Sequence, residues 1–252
     1  IMYKVGKVFM EDVKITINYA GQRVAICPIC DNEVILADDE RLERLAKDII
    51  DHYTRACDNN ADVVQKAMIV CSKRYIAYNL LKKFMKLKPE WFEEKKSPDD
   101  SKLDADTLKT LPLMPTIAMV ATRGKNDPKD MYDYLGEKAR TKQLEDAFKM
   151  EHSNFRIVIV VDMWITGFDV PSLDTMYVFK PLQNHTLIQT ISRVNRAYPG
   201  KTNGLIVDFV GIKSGMDLSL KKYAKYDDTA IEGIEQAIKV VKDQLEVLQK
   251  IM

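Results

Sequence analysis

Two patterns of apolar residues organise the chain, one with helical spacing and one of short apolar runs. From Asp38 onward Leu42, Leu45, Ala46, Ile49, Ile50 and Tyr53 recur every three or four residues. They follow an acidic start of Asp38, Asp39 and Glu40 that suits the positive end of a helix dipole, so a helix is predicted there. Arg74 to Leu87 and Thr141 to Met150 read as further helices, and another is expected from Thr186 to about Ala197. Between them lie the strand candidates Ala67–Cys71, Thr116–Ala121, Ile157–Val161, Met176–Phe179 and Leu205–Phe209. Ile157–Val161 is apolar without alternation, as in a strand covered on both faces. Strand and helix alternate, which predicts an α/β fold with a mainly parallel sheet.

The flanks read differently. Val13–Ile17 and Arg23–Ile26 alternate briefly and are either short strands or a loose lead-in. Lys88 to Pro115 is rich in Lys, Asp, Ser and Pro and reads as a mobile insertion too polar to pack. Near the C-terminus Ile231, Ile234, Ile238, Val241, Leu245, Leu248 and Met252 form an a/d seam, which suits either another helix or docking on the domain itself. The expected division is a lead-in segment with one helix over 1–60, the α/β domain over 61–212 and the start of a helical region over 213–252.

Composition narrows the function classes. With 252 residues, 46% hydrophobic and 30% charged, the chain has the makeup of a folded globular protein. A net charge of +1 leaves no global basic field, so any nucleic-acid contact has to come from local clusters of Lys and Arg. No apolar run approaches the roughly 18–20 residues of a membrane span, and Ile1-Met2-Tyr3-Lys4 does not open a signal peptide. The expectation is a cytoplasmic protein, cut from a longer one, whose four cysteines are reduced thiols.

The candidate chemistry sits between Phe155 and Gly211. Thr166-Gly167-Phe168-Asp169-Val170-Pro171 leaves a buried strand at its carboxyl end, where open α/β sheets place ligands. Gly167 permits close backbone approach and Asp169 offers a carboxylate. Gln189, Arg193 and Arg196 are spaced by four and three, which on a continuous helix puts them on one face. Two neighbouring arginines repel unless an anion stands before them. A nucleotide triphosphate held on a neighbouring domain would supply it, and the arginine fork suits phosphate oxygens.

These residues resemble motifs V and VI of superfamily two helicases. A longer series is similar to the motor (R) subunit of type I restriction endonucleases: Val161 to Asp169, Thr175 to Val178, Lys180-Pro181, His185, Arg193 to Arg196, Gly204 to Asp208, and Ala121 to Pro128. The resemblance spans about Lys66 to Gly211. It implies the second of two RecA-like domains that clamp ATP and pump double-stranded DNA. By that resemblance Arg196 is the arginine finger, Arg193 its phosphate-binding partner and Gln189 lies near the nucleotide, while Gly167 and Asp169 couple nucleotide state to DNA contact. By analogy with such motors Cys71, Ser72, Thr122, Arg123 and Thr166 lie where DNA phosphates are met. The implied cofactors are ATP and Mg, both held mainly by the first motor domain. The implied partners are that domain, double-stranded DNA, and methyltransferase and specificity subunits. Phe179 departs from the family pattern, which has an acidic residue before the Lys-Pro pair.

Three other patterns are set aside. Gly200-Lys201-Thr202 looks like the end of a P-loop, but Asn195 stands where the first glycine belongs. The aspartates Asp162 and Asp208 end strands without the acidic neighbour of a Walker B box. Cys27 and Cys30 have zinc-like spacing, yet His52 and Cys57 are awkwardly placed five residues apart to complete a site, so no metal site is assigned. Lacking a P-loop and an Asp-Glu box, the chain is expected neither to hydrolyse ATP nor to cleave DNA alone. The alternatives are another superfamily two helicase acting in repair or on RNA, and a non-catalytic α/β module that binds partners through its heptad seam.

Overall fold

The structure, a computed structural model, describes residues 14–17, 23–26, 37–59, 65–165, 167–182, 189–190, 192–199, 201 and 204–210. The heptad seam, Cys27, Cys30, His185 and Thr166 lie outside the described residues. Two short strands, β1 (Lys14–Ile17) and β2 (Arg23–Ile26), pair antiparallel with Lys14 opposite Ile26. The main sheet holds β3 (Lys66–Cys71), β4 (Ile117–Val120), β5 (Ile157–Val160), β6 (Leu173–Phe179) and β7 (Leu205–Asp208). Its strands run parallel in the order β4-β5-β3-β6-β7, as the strand and helix alternation predicts.

Side chains alternate across the strands of the main sheet, and both sets are buried in β3, β4 and β5 and in β6 except at Asp174, while β7 is half-buried except at Val207. Ala67, Ile69, Ile117, Met119, Ile157, Ile159 and Tyr177 face a layer of helices. That layer comprises α1 (Asp39–Asn59), α2 (Arg74–Leu87) and, through Met131 and Leu135, α4 (Lys129–Leu135). Met68, Val70, Val120, Val158, Val160, Met176 and Val178 face the other way, onto Leu144, Ala147 and Phe148 of α5 (Lys138–Lys149) and onto Trp164, Phe168 and Val194. Burial on both faces is why the strands carry apolar residues at successive positions.

In α1 every apolar position of the periodic series is buried, and the Asp38 carboxylate accepts the Arg41 amide at 2.9 Å. That caps an otherwise unsatisfied N–H of the first turn. Although the expected lead-in segment 1–60 contains it, α1 shares one core with α2 and the sheet.

Two expectations are corrected. The stretch from Lys88 to Pro115 is not an unpacked insertion. It contains 3₁₀ turns at Pro89–Phe92 and Asp100–Lys102, a helix α3 (Ala105–Thr110), and a bridge between Lys95 and Met114. Its few apolar residues hold it: Leu111 and Met114 are buried, and Trp91 stacks on Phe84 at 6.1 Å and meets Tyr53 edge-on at 5.7 Å. The Asp104 side chain caps α3 by accepting the amides of Asp106 and Thr107. The second correction concerns the helix expected to reach Ala197. Residues 189, 190 and 192–194 are helical, Asn195 is a turn, and Arg196 lies beyond the helical residues. Arg193 and Arg196 therefore do not share a helical face.

Candidate functional site

All five strands of the main sheet end at one edge, and the sequence candidates collect there. The loop leaving β5 is the most constrained. Trp164 adopts φ 66°, the left-handed region that an aromatic residue enters at a cost of roughly 1–3 kcal/mol. Its indole stacks on Phe168 with ring centres 4.2 Å apart, and both rings lie against Phe148 of α5. Gly167 follows at φ 73°, exposed, with open space where a side chain would be. Glycine is required there by backbone conformation and not by crowding.

Three cations from other parts of the chain hold this loop. At its start the Lys180 ammonium, just past β6, donates to the Asp162 carboxylate at 2.5 Å and to the Val161 carbonyl at 3.2 Å. At its end Arg193 Nη1 donates to the Phe168 carbonyl at 2.9 Å, and Arg196 Nη1 pairs with Asp169 Oδ2 at 2.6 Å. Arg193 Nε is buried and finds no hydrogen-bond partner among the described residues. Gln189 sits half-buried on the helical residues that carry Arg193. On the other side of that segment Gly204 passes so close to Val194 that a β-carbon would overlap the Val194 carbonyl. The backbone between the two arginines is thus pinned from behind.

The nucleic-acid candidates divide. Cys71 ends β3 inside the core with no exposure, and burial pushes its thiol up to about 12. Its assignment to DNA contact is corrected, because the side chain faces helices. Ser72 Oγ, one residue on, is buried without a partner among the described residues. Thr122 is exposed after β4, and Arg123 lays its guanidinium over Tyr132 of α4 at 4.3 Å. Phe179 is buried under the Arg41 guanidinium, 5.4 Å from the ring centre, so an arginine over an aromatic face stands where the family resemblance implies a carboxylate.

The opposite edge of the sheet holds cations of another kind. Lys66 opens β3 with no exposure, and its ammonium donates to the Phe148 carbonyl and, at 2.7 Å, to the Met150 carbonyl at the end of α5. Burial, reinforced by Arg156, lowers its pKa to about 7. Lys201 donates to the Leu173 carbonyl at 2.6 Å, which gives the residue of the P-loop-like tripeptide a bracing role at the start of β6. His52 Nδ1 lies 2.8 Å from the Tyr177 hydroxyl, and Cys57 lies beside Tyr53.

The run that carries most of this geometry has known relatives. Residues 116–211 match the family described as Type I restriction enzyme subunit R domain 3. Residues 116–211 thus belong to the type I restriction enzyme R subunit family. The chain is 36% identical over 214 residues to a putative type I restriction enzyme MjaIXP endonuclease subunit of Methanocaldococcus jannaschii, covering 84% of this chain and 18% of the relative. It is 32% identical over 222 residues to the type I restriction enzyme HindI endonuclease subunit of Haemophilus influenzae, covering 86% and 19%. The chain thus spans about a fifth of the length of these curated relatives. Among solved structures it is similar to the Pyrococcus furiosus Hef helicase domain, with a TM-score of 0.39, 14% identity, and coverage of 70% of this chain and 27% of that one.

Within the family segment the structure brings Gly167 and Asp169 together with Arg193 and Arg196, and leaves Thr122 and Arg123 on a separate loop. Sequence reasoning missed Asp162 with Lys180, and Arg74 with Asp127. Each pair is remote in sequence, 18 and 53 residues apart, and no periodicity links such partners.

Proposed function

We propose that this chain is part of the motor of a type I restriction endonuclease subunit and supplies the arginine half of an ATP site. The observation that carries the reading is the convergence of Arg193 and Arg196 on the loop 168–169 at the carboxyl edge of the sheet. Arg196 is the arginine finger, Arg193 binds phosphate, Gln189 lies near the nucleotide, and Gly167 and Asp169 relay nucleotide state to the DNA side. The residues fit a triphosphate. Arg193 carries a buried Nε with no partner among the described residues, and Arg196 is 42% exposed. A pair as exposed as Arg196–Asp169 contributes about 0.2–1 kcal/mol, so a polyanion can exchange for the carboxylate.

ATP and Mg are held mainly by the first RecA-like domain of the same subunit, and bound ATP supplies the phosphoanhydride whose hydrolysis drives movement. Double-stranded DNA meets the loops at Ser72, Thr122, Arg123 and Thr166. Methyltransferase and specificity subunits complete the cytoplasmic complex. The segment alone is inactive. The family match of residues 116–211 supports this over a repair or RNA helicase, and the arginine arrangement supports it over a passive partner-binding module.

The test is Arg196→Ala in the intact subunit. ATP turnover falls about 10³-fold or more, the scale of an arginine finger, while nucleotide affinity stays within a few-fold. Near-normal turnover overturns the assignment, and so does measurable ATPase activity from the 252-residue chain alone.

A further inference from the structure

The loop after β4 is built around a contact that the ATP site does not use. Arg74, the first residue of α2, reaches across to it: Nη1 donates to the Thr122 carbonyl at 2.8 Å and Nη2 pairs with Asp127 Oδ1 at 2.7 Å. The other Asp127 oxygen accepts the Gly124 amide at 2.6 Å, and the Asp127 amide returns a bond to the Gly124 carbonyl at 3.1 Å. Asp127 is only 7% exposed, and Gly124 lies so close to the guanidinium that any β-carbon would overlap it. One arginine, one carboxylate and one glycine therefore fix the path of residues 122–127.

The sheet order gives this contact its meaning. β3 and β4 flank β5, so Arg74 ties the loop after β3 to the loop after β4 across the end of the strand that leads to Gly167 and Asp169. The loop's own turn is already closed by Asp127 and Gly124, so a stable turn does not need a guanidinium from a residue 53 positions away. What Arg74 adds is the placement of the turn relative to α2. Its charge is matched by Asp127, which leaves Arg123, directed by its stack on Tyr132, as the loop cation held in a defined position.

We propose that Arg74 and Asp127 are positioning residues that hold Thr122 and Arg123 in register with a DNA backbone, an inference that rests on the DNA-contact reading given above. The test measures binding of a fluorescein-labelled duplex by the intact subunit across a salt series, with amide hydrogen exchange over residues 122–127. Asp127→Ala removes a negative charge, so charge alone tightens DNA binding. Positioning predicts the reverse: roughly tenfold weaker binding, a salt dependence shallower by about one phosphate contact, and faster exchange at 122–127. Arg74→Met, which leaves the Asp127–Gly124 turn intact, weakens binding too, but it removes a positive charge and supports positioning only beside an aspartate variant; Asp127→Asn, which also removes the negative charge, serves if Asp127→Ala folds poorly. Arg74→Lys, unable to span both acceptors, falls between.

Unchanged or tighter binding by Asp127→Ala or Asp127→Asn, whatever Arg74→Met does, with Arg123→Ala weakened, overturns the positioning role and leaves the DNA contact standing. Unchanged affinity and salt slope in Arg123→Ala removes the DNA contact itself, and the positioning role with it.

Discussion

The two edges of the sheet both carry basic residues but use them in opposite ways. At the amino edge Lys66 is sealed in, its ammonium closing the carbonyl end of α5, and Lys201 braces the start of β6. At the carboxyl edge Lys180, Arg193, Arg196 and Arg74 each hold a loop, and the Arg196 pair stands open to solvent. A cation on a buried helix end is committed to the fold, because its loss leaves carbonyls short of a donor where water does not replace it. A cation on an exposed loop carboxylate can change partners at small cost. Burial of the partner, more than charge, separates the residues that stabilise from those available to a ligand.

Substitution should expose that division. The largest effect expected is the loss of turnover in Arg196→Ala, and with it goes a thermal stability changed by no more than about 1 kcal/mol. A clear fall in melting temperature for this variant would place Arg196 with the structural cations. Lys66→Ala should do the converse. It takes the ammonium from the Phe148 and Met150 carbonyls and removes a packed side chain, and denaturant melts should show a loss of about 2–4 kcal/mol with turnover per folded molecule unchanged.

The same lysine gives the amino edge a pH dependence. Its folded pKa of about 7 lies below the ordinary lysine value of 10.5. Below about pH 7 both folded and unfolded chains carry the charge, and the cost of burying it is present in full. Between about 7 and 10.5 the unfolded chain holds the extra proton, so stability rises with pH by up to about 1.4 kcal/mol per unit. Denaturant midpoints measured from pH 7 to 9 should show the rise in the native chain, and the slope should shrink in Lys66→Met. Equal slopes would remove Lys66 from this account. The smallest effect belongs to Gly167→Ala: φ 73° costs about 1 kcal/mol in an L-residue, with no clash added because the space is open. A loss well beyond that would mean that something presses on this position.

How much of this was legible in the sequence follows the range of the forces involved. α2 was readable to its ends, Arg74 and Leu87, because burial of one face imposes helical spacing on consecutive residues. The strands were readable because both faces are covered. α3 and α4 were not: α3 has no buried residue and depends on the Asp104 cap, and α4 buries only Met131 and Leu135, too few for a period to emerge. The stretch from Lys88 to Pro115 misled because its composition is polar, although Trp91, Leu111 and Met114 suffice to anchor it. At the site, the spacing of Gln189, Arg193 and Arg196 suggested the right neighbourhood through a geometry that fails at Asn195. Arg196 still meets the same loop as Arg193, from beyond the helical residues. Cys71 followed from its place after an apolar run, but which way the last residue of a strand points depends on register with its neighbours.

The Trp164–Phe168 stack has an optical consequence. The chain has two tryptophans, and Trp164 is the one on the loop that Arg193 and Arg196 hold, 7% exposed against a ring 4.2 Å away. If release of residues 168–169 by the arginines carries Phe168 off the indole, the indole is wetted and its emission shifts to longer wavelength. With Trp91→Phe removing the second emitter, the chain carries its own unlabelled reporter of when the loop lets go.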